Sequence, residues 1–222
     1  LAQKELANFG VQAEIVPIPP YSDFKVEPLP KEFSVALYLT DKSDFDKYLQ
    51  KETLSIVKAM PDVMFYGYGD GAKDFTAKNF KHVGNLTRPE WEQFVKDRAA
   101  YLRIVKHDTR PLATDEFLMA GRNVITNIPN EYVDYIDTSG TMPFDKWDTF
   151  APGFSPARWP NTKKKIVQKI REVKRAQKKS DQEFEGERLA RSIALNSLLN
   201  KDHYRETIKR LAQKEAVLEV VG

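Results

Sequence analysis

From Glu32 to Thr126 the chain alternates between short apolar runs and longer amphipathic stretches, and few folds accept that order. Phe33–Leu39, Val63–Tyr66, Phe80–Val83, Tyr101–Val105 and Asn123–Thr126 read as strands. Between them, helices are expected at Asp44–Ala59, from Thr87 to about Arg98, and at Leu112–Ala120, the last stopped by Gly121. Thr87 with Glu90 forms a capping box, and Pro89 suits a first helical turn, where its missing N–H costs nothing. Strands this apolar, separated by helices, imply a parallel sheet covered on both faces. The expected fold class is therefore α/β: a Rossmann-like parallel sheet with helices on both faces, plus a C-terminal helical extension.

The flanks differ from this centre. Leu1–Gly10 reads as the end of a helix capped by Gly10, and Gln12–Pro17 as a short extended piece. Pro17, Pro19, Pro20, Pro28 and Pro30 then make a stiff tether. Thr138–Pro160, rich in Gly, Pro and aromatics, reads as an irregular packed loop. Residues 163–179 hold nine Lys or Arg among seventeen, with Ile166, Val167, Ile170 and Val173 at helical spacing. Further helices are expected around Glu185–Asn200 and Asp202–Glu215. The divisions that follow are 1–31, 32–160 and 161–222.

Composition narrows the function. A chain that is 41% hydrophobic and 11% aromatic can bury a core, which excludes wholesale disorder. Its net charge of only +3 gives no general reason to expect a nucleic-acid partner. The absence of cysteine removes disulfides, thiolate metal sites and cysteine nucleophiles, and fits a reducing, cytoplasmic setting. No apolar run reaches the roughly 20 residues a membrane-spanning helix needs.

In an open parallel sheet, ligands bind beyond the carboxyl ends of the strands, where helix N-termini offer unpaired amides. After the fourth strand the chain reads Lys106-His107-Asp108-Thr109-Arg110-Pro111-Leu112-Ala113-Thr114-Asp115-Glu116. Asp108 in the loop and Glu116 a turn into the helix, with seven residues between them, could both face one pocket. Carboxylates accept from sugar hydroxyls, while amides and a cation suit phosphate. The combination suits a sugar-phosphate ligand.

These residues carry a resemblance. The spacing of Asp108 and Glu116, followed by Phe117-Leu-Met-Ala-Gly-Arg-Asn-Val-Ile-Thr126, is similar to the C-terminal donor-binding domain of GT-B-type glycosyltransferases. The retaining family that includes glycogen and sucrose synthases is the nearest pattern, with Asp108 standing where that family has Glu. Phe65-Tyr66-Gly67 and His82-Val83-Gly84-Asn85-Leu86-Thr87 fall in matching order, so the likeness runs roughly from Ile15 to Ile136.

The resemblance implies a role for each position. Glu116 would accept from both ribose hydroxyls of a nucleoside-diphosphate sugar, and Asp108 would contact the donor sugar. Backbone amides over Thr109, Arg110, Leu112 and Ala113 would hold the diphosphate; Pro111 lacks one, and Arg110 could compensate as a cation. Gly84, Asn85, Leu86 and Thr87 would flank the base, and Tyr66, Gly67 and Gly69 would line the pocket. Lys42 and Lys47 are the cations near the loop after the first strand, where the family places cations on the leaving group. No metal or other cofactor is expected. The acceptor, a glycan or a lipid-linked glycan, would be held by a preceding domain, of which Leu1–Pro20 would be the last helix and linker. A chain without that domain is expected to be inactive alone.

Other readings stay open. His107 could be a general base, though a lone histidine is more often structural. Gly67, Gly69 and Gly71 lack the spacing of a dinucleotide loop. The basic run 163–179 is either a solvated helix face or a surface for anionic lipid, which would make the protein membrane-peripheral. A different class altogether is a non-catalytic, flavodoxin-like α/β interaction domain whose basic helices dock a partner.

Overall fold

Along β1 (Ser34–Tyr38), Val35 and Leu37 pack into one core cluster and Ala36 into another, so the strand is buried on both sides, as its unbroken apolar run requires. The computed structural model describes residues 24–40, 48–105, 112–127, 132–135 and 159–199, with 202, 204–206 and 208–210 in a further helical stretch. Six parallel strands form one sheet: β1, β2 (Met64–Tyr68), β3 (Phe80–Gly84), β4 (Ala100–Arg103), β5 (Asn123–Thr126) and β6 (Asp134–Tyr135). Their order is β3-β2-β1-β4-β5-β6. The chain adds strands outward from β1, then returns to pair β4 with the other side of β1, with Ala36 opposite Tyr101 and Leu37 opposite Leu102.

Among the described residues, five helices cover the two faces. Helix α1 (Gln50–Ala59) and helix α4 (Trp159–Lys179) cover one, burying Ile56, Val57, Ile166, Ile170 and Val173 against Val35, Leu37, Phe65, Leu102 and Ile125. Helices α2 (Arg88–Lys96), α3 (Leu112–Met119) and α5 (Gln182–Leu198) cover the other. There Trp91, Phe94, Phe117, Leu118 and Leu195 pack with Ala36, Tyr101 and Val124. Putting α1 on one face and α2 and α3 on the other is what right-handed crossovers demand once the direction of strand addition reverses.

Several element ends differ from the sequence expectation, each for a tertiary reason. Strand β2 continues to Tyr68, whose carbonyl accepts from the Leu39 N–H at 2.9 Å. Helix α2 stops at Lys96 because the chain already joins the sheet, the Ala99 N–H donating to the Ser34 carbonyl at 3.1 Å. Strand β4 ends at Arg103, not Val105. There Asn127 extends the ladder instead, its carboxamide accepting from the Val105 N–H at 3.0 Å and donating to the Val105 carbonyl at 2.7 Å. Helix α5 begins at Gln182, three residues early, since the Asp181 side chain caps it by accepting from the Phe184 N–H at 3.2 Å. The two-residue β6 was not anticipated from sequence, being too short to show a period. Helix α4 starts at Trp159, inside the expected loop. The expectations for 1–23, for 44–47 and for the rest of 138–158 lie outside the described residues.

The segment entering the sheet is strapped down. Arg122, almost wholly buried, donates to the carbonyls of Glu27 at 3.3 Å and Pro28 at 2.7 Å. Lys96 pairs with Glu27 at 3.1 Å, and the Gln177 amide donates to the Pro30 carbonyl at 2.6 Å. Phe24, the first described residue, is buried in the same cluster as Trp91 and Phe117.

Candidate functional site

Glu116 sits one turn into α3, and the first turn of α2 reaches across to it. Its Oε1 accepts from Arg88 Nη2 at 2.6 Å and its Oε2 accepts from the Trp91 indole N–H at 2.7 Å. Only 5% of the Glu116 side chain is exposed, against 37% of Arg88. The spacing of Arg88 and Trp91, three apart, places both on one side of α2. Helix α2 is positioned by its cap: the Glu90 carboxylate accepts from the Thr87 N–H at 2.8 Å and from the Thr87 hydroxyl at 2.6 Å. Those bonds, the hydroxyl one foremost, hold the Glu90 carboxyl below its ordinary value.

The aromatic bed beneath Glu116 fixes both helices. The Trp91 ring lies 4.7 Å from Tyr68, 5.8 Å from Phe94 and 5.7 Å from Phe117, and Phe117 stacks on Tyr101 at 4.6 Å. Tyr68 and Tyr101 share a hydroxyl bond of 3.1 Å, and burial keeps the Tyr68 phenol well above its ordinary value. Arg103 closes the carboxyl end of β4. It donates to the Tyr101 hydroxyl at 3.1 Å and lies 5.7 Å and 5.5 Å from the ring centres of Tyr38 and Tyr48. The carboxyl ends of β1 and β4 are where the strand order reverses, the place an open α/β sheet reserves for ligands.

The other residues singled out from sequence are placed as follows. Gly84 ends β3 at φ +75°, with open space where a side chain would go. Asn85 and Thr87 are exposed, and Leu86 packs partly into the aromatic cluster, so the Gly84–Thr87 loop leads into the α2 turn that meets Glu116. Gly69, at φ +104°, donates to the Gly84 carbonyl at 2.9 Å. A Cβ on it would collide with the Leu39 carbonyl, so this crossing at the sheet rim requires glycine. Leu112 and Ala113 form the start of α3, half-buried. Gly67 is turned to Leu39 and Phe80 within the sheet. Tyr66 lies mid-strand with its ring under the Arg98 guanidinium, 3.6 Å from its centre. Asp108, Thr109, Arg110, Pro111, His107, Lys42 and Lys47 lie outside the described residues. Sequence reasoning passed over Arg88, Trp91 and Arg103; the signal for the first two was the Arg-Pro-Glu-Trp order directly after the capping threonine.

The described residues resemble known structures. A pneumococcal O-GlcNAc transferase, GtfA, solved with UDP and GlcNAc, superposes with a TM-score of 0.62 at 16% identity, over 96% of this chain and 42% of that one. Sucrose-phosphate synthase from Thermosynechococcus elongatus gives 0.60 at 12% identity, over 98% and 57%. WaaG, a glycosyltransferase involved in lipopolysaccharide biosynthesis, gives 0.53 at 14% identity, over 85% and 55%.

The fold is that of a GT-B glycosyltransferase domain.

The chain spans about half the length of the proteins it resembles. No protein-family model matches the chain, and no curated protein matches its sequence. No described helix is long and apolar enough to cross a membrane.

Proposed function

We propose that the chain is the donor-binding domain of a glycosyltransferase, taking a nucleoside-diphosphate sugar through Glu116. The observation that carries this reading is a buried carboxylate one turn into the helix after β4, beside the α2 N-terminus and next to the switch point of a GT-B-type sheet. Glu116 would accept from the ribose diol, Asp108 would contact the sugar, and Gly84–Thr87 would flank the base. Leu112, Ala113 and the residues before them would offer amides to the diphosphate, with Arg110, Lys42 or Lys47 supplying positive charge. Asn127 supports the reading by fixing where the chain leaves β4 for that loop.

Chemistry in such a site is chiefly orientation of the donor and stabilisation of the departing diphosphate, so no nucleophile triad is required. The acceptor, a glycan or lipid-linked glycan, would be held by a further domain or partner, and configuration at the sugar would be retained if the family pattern extends to mechanism. The solvent side of α4, carrying Lys164, Lys165, Arg171, Arg175, Lys178 and Lys179 in exposed positions, would suit an anionic membrane surface bearing such an acceptor.

The test is a thermal melt with uridine and guanosine diphosphates. A nucleotide at one hundred times its dissociation constant stabilises by about 2.7 kcal/mol. For a domain of this size that raises Tm by about 5–11 °C, and Glu116→Ala should abolish the rise. No shift with either nucleotide would favour a non-catalytic interaction domain.

A further inference from the structure

The two donors on Glu116 are not equivalent. Trp91 is sealed among Tyr68, Phe94 and Phe117, so nothing enters from its side without dismantling the aromatic bed. Arg88 is the exposed side. Its Nε also holds Glu92 at 3.3 Å, an exposed pair, and its guanidinium rests 5.9 Å from the ring centre of Phe24. Among the described residues, the way to the buried carboxylate therefore runs past Arg88, and Arg88 leans on the segment by which the chain enters the domain. That segment is pinned further along by Arg122, Lys96 and Gln177.

We propose that Arg88 is a displaceable cover over Glu116, and that Phe24 sets how firmly the cover is held. A ribose diol must take the place of the guanidinium at Oε1, while Trp91 keeps its hold on Oε2 and fixes the carboxylate's plane. Arg88 retains Glu92 when it moves, so its charge is not stranded. The coupling follows from the contacts: a shift of the entering segment that withdraws Phe24 loosens Arg88 and opens the carboxylate to nucleotide. Arg88 and Phe24 are positioning residues in this scheme, acting through Glu116. The proposal rests on Glu116 being the ribose acceptor, as argued above.

The experiment is calorimetric titration of the full chain with uridine diphosphate and with 2′,3′-dideoxyuridine diphosphate, which lacks the diol. Uridine is chosen because the similar pneumococcal transferase holds UDP. Arg88→Ala removes a competitor that its exposure to solvent reduces to roughly the worth of one ordinary hydrogen bond, so it should tighten uridine diphosphate binding about five- to tenfold and leave the dideoxy compound unchanged. Phe24→Leu keeps apolar volume but loses the ring under the cation, and should tighten the diol ligand about two- to threefold. Should Arg88→Ala not fold, Arg88→Met, which keeps the aliphatic stem, carries the same expectation. The proposal is overturned if Arg88→Ala weakens or leaves unchanged the binding of uridine diphosphate while the wild-type chain prefers the diol and Glu116→Gln erases that preference. Arg88 would then orient the carboxylate rather than cover it, and the donor-binding reading would stand. If the wild-type chain binds neither compound, or both equally, the reading of Glu116 fails and the proposal falls with it.

Discussion

Replacing Trp91 with Phe isolates one bond. The phenyl ring can keep the packing against Tyr68, Phe94 and Phe117, but nothing then donates to Glu116 Oε2. A hydrogen bond to a charged group contributes about 1.5–3 kcal/mol, and the smaller ring forfeits about 1 kcal/mol of burial. Arg88 remains on the other oxygen and water can reach that side, which offsets part of the loss. The expected cost is about 2–3 kcal/mol, or a Tm lower by roughly 4–12 °C for a domain this size. Urea unfolding of the wild type, Trp91→Phe, Glu116→Gln and the double variant would give the coupling directly. Because only Glu116 carries the charge that strengthens the bond, the cycle should show about 1–2 kcal/mol of non-additivity. A cost under about 0.5 kcal/mol, or strictly additive variants, would mean that the indole does not hold this carboxylate.

The remaining predictions test the scaffold. Asn127→Ala strips both backbone groups of Val105 of their partners and should lower stability by about 2 kcal/mol in a denaturant titration. Arg122→Ala releases the carbonyls of Glu27 and Pro28, and should cost about 3 kcal/mol while limited proteolysis cuts the 24–30 segment faster than in the wild type. In acid, the carboxyls of Asp62, Glu172 and Glu185 are each held below their ordinary values, first by hydrogen bonds from Lys174, Gln168 and Arg188 respectively. Depressed carboxyl values stabilise the fold above the unfolded values and cease to do so as pH falls through the folded ones. Tm should therefore be level from pH 6 to 8 and decline below about pH 4.5; a Tm still level at pH 3 would contradict those bonds.

Much of this architecture was legible in the chain. A run such as Ser-Val-Ala-Leu-Tyr has no polar face, so it can only be an interior strand, and such runs separated by helices leave little besides a parallel sheet covered on both sides. Glu116 was singled out from the chain as well, by its seven-residue spacing from Asp108 and its place in the run that Gly121 was expected to stop. What binds Glu116 was not. Arg88 and Trp91 precede it by 28 and 25 residues, and sequence spacing says nothing about which two helices a sheet will set side by side. The strand order is a global choice: β4 passes β2 and β3 to lie against β1, and only that placement brings α2 and α3 onto one face. Local periodicity determines which residues can be buried. Which buried residue meets which depends on how the chain closes its long loops, and Arg88 on Glu116, with Phe24 beneath it, is a product of that closure.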